Sequence, residues 1–229
     1  MIAAKYGSGA FDDVLAGIEL LNEPLIASLV GGRGAIEGYY QDGFGIVRNK
    51  GTTPVIIHDG FINPPNWNRF LTGQGDAGAI VDHHEYQVFS NADVALSPAD
   101  HIMAVCTRAQ QWGEGQDKFL IVGEWSAAMT DCAPALNGYD IGARYDGTYP
   151  SSTYVGSCAT INFIEQWTQE QKAITTSYIR AQIDIFEQKT QGWIFWNFKT
   201  EATAEWDLFR LLDAGVFPSM NGYQGSTQC

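Results

Sequence analysis

Basic residues are scarce in this chain: 13 Lys and Arg stand against 26 Asp and Glu, a formal charge of −13 at pH 7. That balance excludes the phosphate-neutralising surface that nucleic acids and anionic membranes demand, so neither is expected as a partner. Apolar runs long enough to span a bilayer are missing, and no membrane insertion is expected. Histidine occurs four times, never as HExxH or in another ligand spacing, so the sequence carries no metal motif. No glycine-rich phosphate loop follows a strand-like run, which removes the case for a nucleotide; no cofactor is expected. Internal repeats, low-complexity tracts and linkers are absent too, and residues 1–229 read as a single domain.

Cysteine is present four times, as Cys106, Cys132, Cys158 and Cys229, without the CxxC spacing of a zinc or redox site. Four cysteines allow three connectivities, and spacing does not choose among them. The favoured pairing joins Cys132 to Cys158 across a loop rich in Gly, Tyr and Ser, and Cys106 to Cys229, tying the C-terminus to a helix. Loop closure would then contribute roughly 3.5 and 5 kcal/mol respectively. Oxidising, extracellular or cell-wall conditions follow as the expectation. Met1 to Tyr6 lacks the charged and apolar regions of a signal peptide, so an export signal is expected to lie outside this chain.

What the chain does have is a pair of apolar runs that end in glutamate. Ala16 to Leu21 leads into Asn22-Glu23-Pro24, and Phe119 to Val122 leads into Gly123-Glu124-Trp125-Ser126. Parallel strands buried on both faces read as continuous apolar runs, and in a barrel of such strands the reactive groups sit at the C-terminal ends. Two carboxyls so placed fit glycoside hydrolysis, in which one protonates the leaving oxygen and the other attacks carbon or activates water.

Further strand-like runs cover 54–57, 79–81 and 193–196, making five with 14–21 and 119–122. Helical patterns lie between most of them. Gly34 to Lys50 carries Ile36, Tyr39, Tyr40, Phe44 and Val47 at helical spacing. Ser97-Pro98-Ala99-Asp100 is an N-cap with proline at the first helical position, opening a helix over 97–112. The longest predicted helix covers 169–188. Alternation of strand and helix predicts an α/β fold with a parallel sheet and helices outside it. A closed barrel of this class has eight strands, so five predict an incomplete one.

The ordered motifs Ile18-Glu19-Leu20-Leu21-Asn22-Glu23-Pro24, His84-Glu85-Tyr86-Gln87-Val88-Phe89, Gly123-Glu124-Trp125-Ser126, Asn137-Gly138 through Arg144-Tyr145, and Gly192 to Trp196 with Lys199-Thr200-Glu201 resemble the fungal exo-1,3-beta-glucanases of glycoside hydrolase family 5. The resemblance covers nearly the whole chain and begins at the fourth strand of the family's (β/α)8 TIM barrel. It therefore implies a C-terminal portion holding strands 4 to 8. It also implies a retaining mechanism with Glu23 as acid/base and Glu124 as nucleophile, their carboxyls about 5–5.5 Å apart. Asn22 would bind the sugar 2-hydroxyl, His84 and Tyr86 would line the pocket with Tyr86 on the nucleophile, Trp196 would form the sugar platform, and Phe89 half of an entrance clamp.

Alternation along a strand puts His83 opposite His84, and Trp193 with Phe195 opposite Trp196. Glu85 reads as solvated, His58-Asp59 as strand-end hydrogen bonding, and Asp131, Asp140 and Asp146 as turn residues. The mechanism asks for an acid/base carboxyl that titrates above the nucleophile. The expected function is an exo-hydrolase, acting as a monomer, that releases glucose from the non-reducing ends of beta-1,3-glucan in cell-wall metabolism, with glucosyl transfer as a side capacity. The alternative is a glucan-binding fragment without turnover, lacking the first three barrel units.

Overall fold

The computed structural model describes residues 2–7, 9–72, 78–112 and 115–225. Its helices are α1 (Ile2–Tyr6), α2 (Gly32–Arg48), α3 (Asn91–Val94), α4 (Pro98–Ala109), α5 (Gln169–Lys189) and α6 (Leu208–Asp213). The strands are β1 (Ile18–Glu19), β2 (Val55–His58), β3 (Ala79–Glu85), β4 (Leu120–Trp125) and β5 (Trp193–Phe195), and they form one sheet in chain order. β1 pairs with β2 in parallel, Ile18 opposite Val55, and β2 with β3, His58 opposite Asp82. Chain order within a parallel sheet requires crossovers, which is the pattern that alternating strand and helix signals predict.

The expected strand over 14–21 shrinks to Ile18–Glu19, since only two residues pair in β1. β3 and β4 run further than expected and carry His84, Glu85 and Glu124 inside the strands. Ser97 caps α4 as predicted, its hydroxyl accepting the Asp100 N–H at 3.2 Å. Trp112 lies beyond the end of α4.

The chain divides into two compact units. The first draws on Met1–His84, Gln111–Gly123 and Thr190–Gly192, the second on Glu85–Gln110, Glu124–Lys189 and Trp193–Cys229. In the first, α2 buries Ile36, Tyr40 and Val47 while Tyr39, predicted on the same face, stays half exposed and donates to the Leu20 carbonyl at 3.0 Å. The buried Tyr40 hydroxyl reaches the His58 carbonyl at 2.8 Å and its ring meets Trp67 at 5.5 Å. Each such side chain adds roughly 1.5–3 kcal/mol of apolar burial and leaves no polar end unpaired.

In the second unit, α4 packs on α5, with the His101 ring 5.7 Å from Tyr178. A separate aromatic cluster surrounds Trp125: Phe186, Trp193, Phe195 and Phe217 all lie within 6.1 Å of it, ring centre to ring centre. Cys132 and Cys158 are bonded, as expected, closing a loop of 26 residues. The other expected bridge, Cys106 to Cys229, ends on a residue outside those described.

Candidate active site

Each glutamate has its own surroundings. Glu23 follows β1 with a left-handed backbone, φ 47°, a conformation that costs a non-glycine residue about 1 kcal/mol or more and clusters at functional sites. Its carboxyl is partly exposed and sits 2.7 Å from Nδ1 of the buried His84. That hydrogen bond and the charge of His84 hold the Glu23 carboxyl below its ordinary value, against an opposing push from burial. The hydrogen bond from His84 is the largest cause of that lowering.

His84 is in turn 3.3 Å from Oδ2 of Asp82 through its Nε2, while Asp82 Oδ1 accepts the Gly123 N–H at 2.6 Å. The His58 ring stands edge-on to His84 at 4.3 Å. Burial pushes His58 down to about 4, so it is neutral near pH 7. Its Nδ1 accepts the Gly60 N–H at 2.8 Å, and Asp59 takes the Phe61 N–H and His83, so His58-Asp59 serves the strand end as expected. His83 packs against Trp112 at 4.4 Å.

Glu23, His58 and His84 each bring a potential ligand atom to within 4.8 Å of the others, a set whose chemistry suits a transition metal. Their bonds argue against a resident ion. With Nδ1 of His58 accepting from Gly60, its proton must ride on Nε2, and His84 Nδ1 is already engaged with Glu23.

Glu124 has a different environment. The Tyr86 hydroxyl donates to its Oε2 at 2.8 Å. The Tyr86 ring is fixed by two neighbours, Phe89 at 5.6 Å and Trp206 at 5.2 Å. Phe89 is 49% exposed, which leaves its ring available to a ligand. Trp196 and Ile194 are exposed while Phe195 is buried, the alternation that the strand pattern predicts. The Trp196 N–H bonds to the Trp125 carbonyl at 2.7 Å, and the Trp196–Asn197 peptide is cis. Asn22 is exposed beside Glu23.

Two expectations are corrected. Glu85 is not solvated: it is 4% exposed and paired with Arg108 at 2.9 Å, because an arginine 23 residues away on α4 reaches back to it. Asp131 is no mere turn residue: its buried carboxylate takes the Arg144 and Tyr145 N–H groups, the Asn137 amide and the Arg144 guanidinium. Asp146 does serve a turn, accepting from Thr148, and Asp140 adopts the left-handed turn conformation.

Glu205 was invisible in the pattern. Fully buried, it accepts the Met129 N–H at 3.1 Å and the Thr130 hydroxyl at 2.7 Å, and burial pushes its carboxyl up to about 7. Its backbone carbonyl also accepts the Ala127 N–H, so one residue holds the segment that leaves β4. The nearest signal was the Glu-Trp-Asp run at 205–207, charged residues flanking a tryptophan just after Lys199-Thr200-Glu201.

No family model matches the chain. Known proteins do. The glucan 1,3-beta-glucosidase of Yarrowia lipolytica is 43% identical over 219 residues, covering 95% of this chain and 51% of that protein. The chain is a homologue of the fungal glucan 1,3-beta-glucosidases. The enzyme of that name from Schwanniomyces occidentalis is 45% identical over 222 residues, again 95% of this chain and 51% of its own. The chain therefore spans about half the length of the curated relatives it matches. Among solved structures, rutinosidase from Aspergillus niger superposes with a TM-score of 0.57 at 14% identity, over 88% of this chain and 51% of that one. At that identity the likeness speaks to fold alone.

Proposed function

We propose that this chain is a catalytic domain of a retaining exo-beta-1,3-glucanase built on strands 4 to 8 of a TIM barrel. Glu23 serves as acid/base and Glu124 as nucleophile. The observation that carries the reading is the identity of 41–45% to several glucan 1,3-beta-glucosidases over at least 95% of the chain. The hydrogen bond from Tyr86 supports the nucleophile's role, because a hydroxyl donor on one carboxylate oxygen fixes the position of the group.

In this reading Glu124 attacks the anomeric carbon while Glu23 protonates the departing oxygen. Water then releases beta-glucose with Glu23 as base. A second sugar in place of water gives glucosyl transfer. Asn22 holds the 2-hydroxyl, Trp196 carries the apolar face of glucose, and Phe89 flanks the next unit. The protein acts as a monomer on cell-wall or extracellular glucan.

Incubation with laminarin followed by proton NMR tests this. Beta-glucose as the first product is expected, and Glu124→Gln should abolish its release. Alpha-glucose as the first product would overturn retention. Coverage of only half of each relative raises a second reading, glucan binding without turnover. Laminarin binding with no glucose released would select it.

A further inference from the structure

The lowered Glu23 carboxyl leaves a question open: where the acid's proton rests before the reaction. His84 faces a carboxylate oxygen at each ring nitrogen, Glu23 at 2.7 Å on Nδ1 and Asp82 at 3.3 Å on Nε2. An imidazole can donate from both nitrogens only as the imidazolium. The His58 ring beside it stays neutral, and Asp59 lies 3.6 Å from His58 Nδ1, so neither of these neighbours adds a positive charge beside His84.

We propose that the His84–Asp82 pair stores the proton that Glu23 delivers, with Asp82 as a positioning residue that has no contact with substrate. The proposal rests on Glu23 being the acid/base. In the free site the proton is on His84 Nδ1. When a sugar covers Glu23 and removes its water, the proton crosses to Oε1. His84 is then neutral, its Nε2–H still directed at Asp82. Glu23 passes the proton to the glycosidic oxygen as that bond to carbon breaks and the bond from Glu124 forms. In the second half, attacking water returns a proton to Glu23 as the Glu124 ester breaks, and from there it goes back to Nδ1. The proton count closes over one turnover.

Asp82 has a second attachment that makes it suited to this role. Its Oδ1 is held by the backbone N–H of Gly123, the residue before Glu124, and a side chain at 123 would collide with the Asp82 carboxylate. The same carboxylate thus braces His84 and the strand that delivers Glu124.

The test combines a titration that needs no turnover with a comparison of leaving groups. Nitrogen-15 NMR of the His84 ring in the wild-type chain should show both nitrogens protonated at pH 6.5–7, with a titration midpoint above the ordinary value of about 6.5. Asp82→Asn should lower that midpoint by about one pH unit or more. In kcat/KM, Asp82→Asn should lose about 10²-fold on a beta-glucoside with an alkyl leaving group, which needs the acid. On a dinitrophenyl beta-glucoside, which leaves without protonation, the loss should be at least about tenfold smaller. A neutral His84 at pH 6.5 in the wild type overturns the proposal whether or not the variant folds. Equal losses on both substrates also overturn it and make Asp82 a structural brace only. A protonated His84 in a chain that hydrolyses neither glucoside would defeat the enzymatic reading while leaving the proton store in place.

Discussion

Tyr86 donates its phenolic hydroxyl to Oε2 of Glu124 at 2.8 Å, and its ring is held between Phe89 and Trp206. A hydroxyl this well fixed costs little entropy to keep in place when charge develops on the carboxylate. Tyr86→Phe should lower kcat about 10–100-fold with KM changed far less, since the phenyl ring keeps its packing. Steady-state kinetics on laminari-oligosaccharides would show it, and a variant with full kcat would remove Tyr86 from catalysis.

Trp196 offers an exposed ring, at 45% accessibility, while its backbone N–H is tied to the Trp125 carbonyl. Trp196→Ala should raise KM about tenfold, equivalent to about 1.4 kcal/mol of lost sugar contact. The melting temperature should move little. A large drop in melting temperature would recast Trp196 as a core residue.

Glu205 predicts a pH effect on stability. Its carboxyl titrates near 7 in the fold against 4.5 for the unperturbed group, so between those values the unfolded chain is ionised while the folded one still holds a proton. Unfolding then releases a proton, and stability falls as pH rises from about 4.5 through 7. Glu205→Gln removes this dependence. Scanning calorimetry should find the variant gaining a few degrees over wild type at pH 8 relative to the same comparison at pH 4.5. A constant difference across that range would count against a protonated Glu205.

Arg108 bridges Glu85 at 2.9 Å and Asp93 at 2.7 Å. Removing it takes the guanidinium away from a carboxylate that is 5% exposed, and breaking such a pair from one side is costly. Because the guanidinium itself is partly solvated, Arg108→Ala is expected to cost about 2 kcal/mol in urea unfolding. Adding Glu85→Gln should recover part of that loss. If the double variant were less stable than the single one, the buried charge would not be the cause.

Much of the fold was legible along the chain because it depends on local period. Apolar runs marked all five strands, and the Ser97-Pro98 cap and the amphipathic repeats marked α2, α4 and α5. The extents were less so. β1 keeps two paired residues of an eight-residue apolar run, since pairing depends on the register that a neighbouring strand offers and not on hydrophobicity.

The candidate site divides the same way. The roles proposed for Glu23, Glu124 and Trp196 were argued from residue type, strand-end position and resemblance, because a carboxyl after an apolar run has a chemical meaning wherever the strand lies. The company those residues keep is tertiary. The chain alone presents Glu85 as a solvated charge and Asp131 as a turn residue, and it gives Glu205 no distinguishing pattern. Folding buries all three, and it finds partners 23, 13 and 75 residues away for them. It also sets His84 between Asp82, two residues before it, and Glu23, 61 residues before it. Sequence determined which groups are available to react. Burial and long-range hydrogen bonds decide which of them hold a proton, because both act on the free energy of a charge through its surroundings in space.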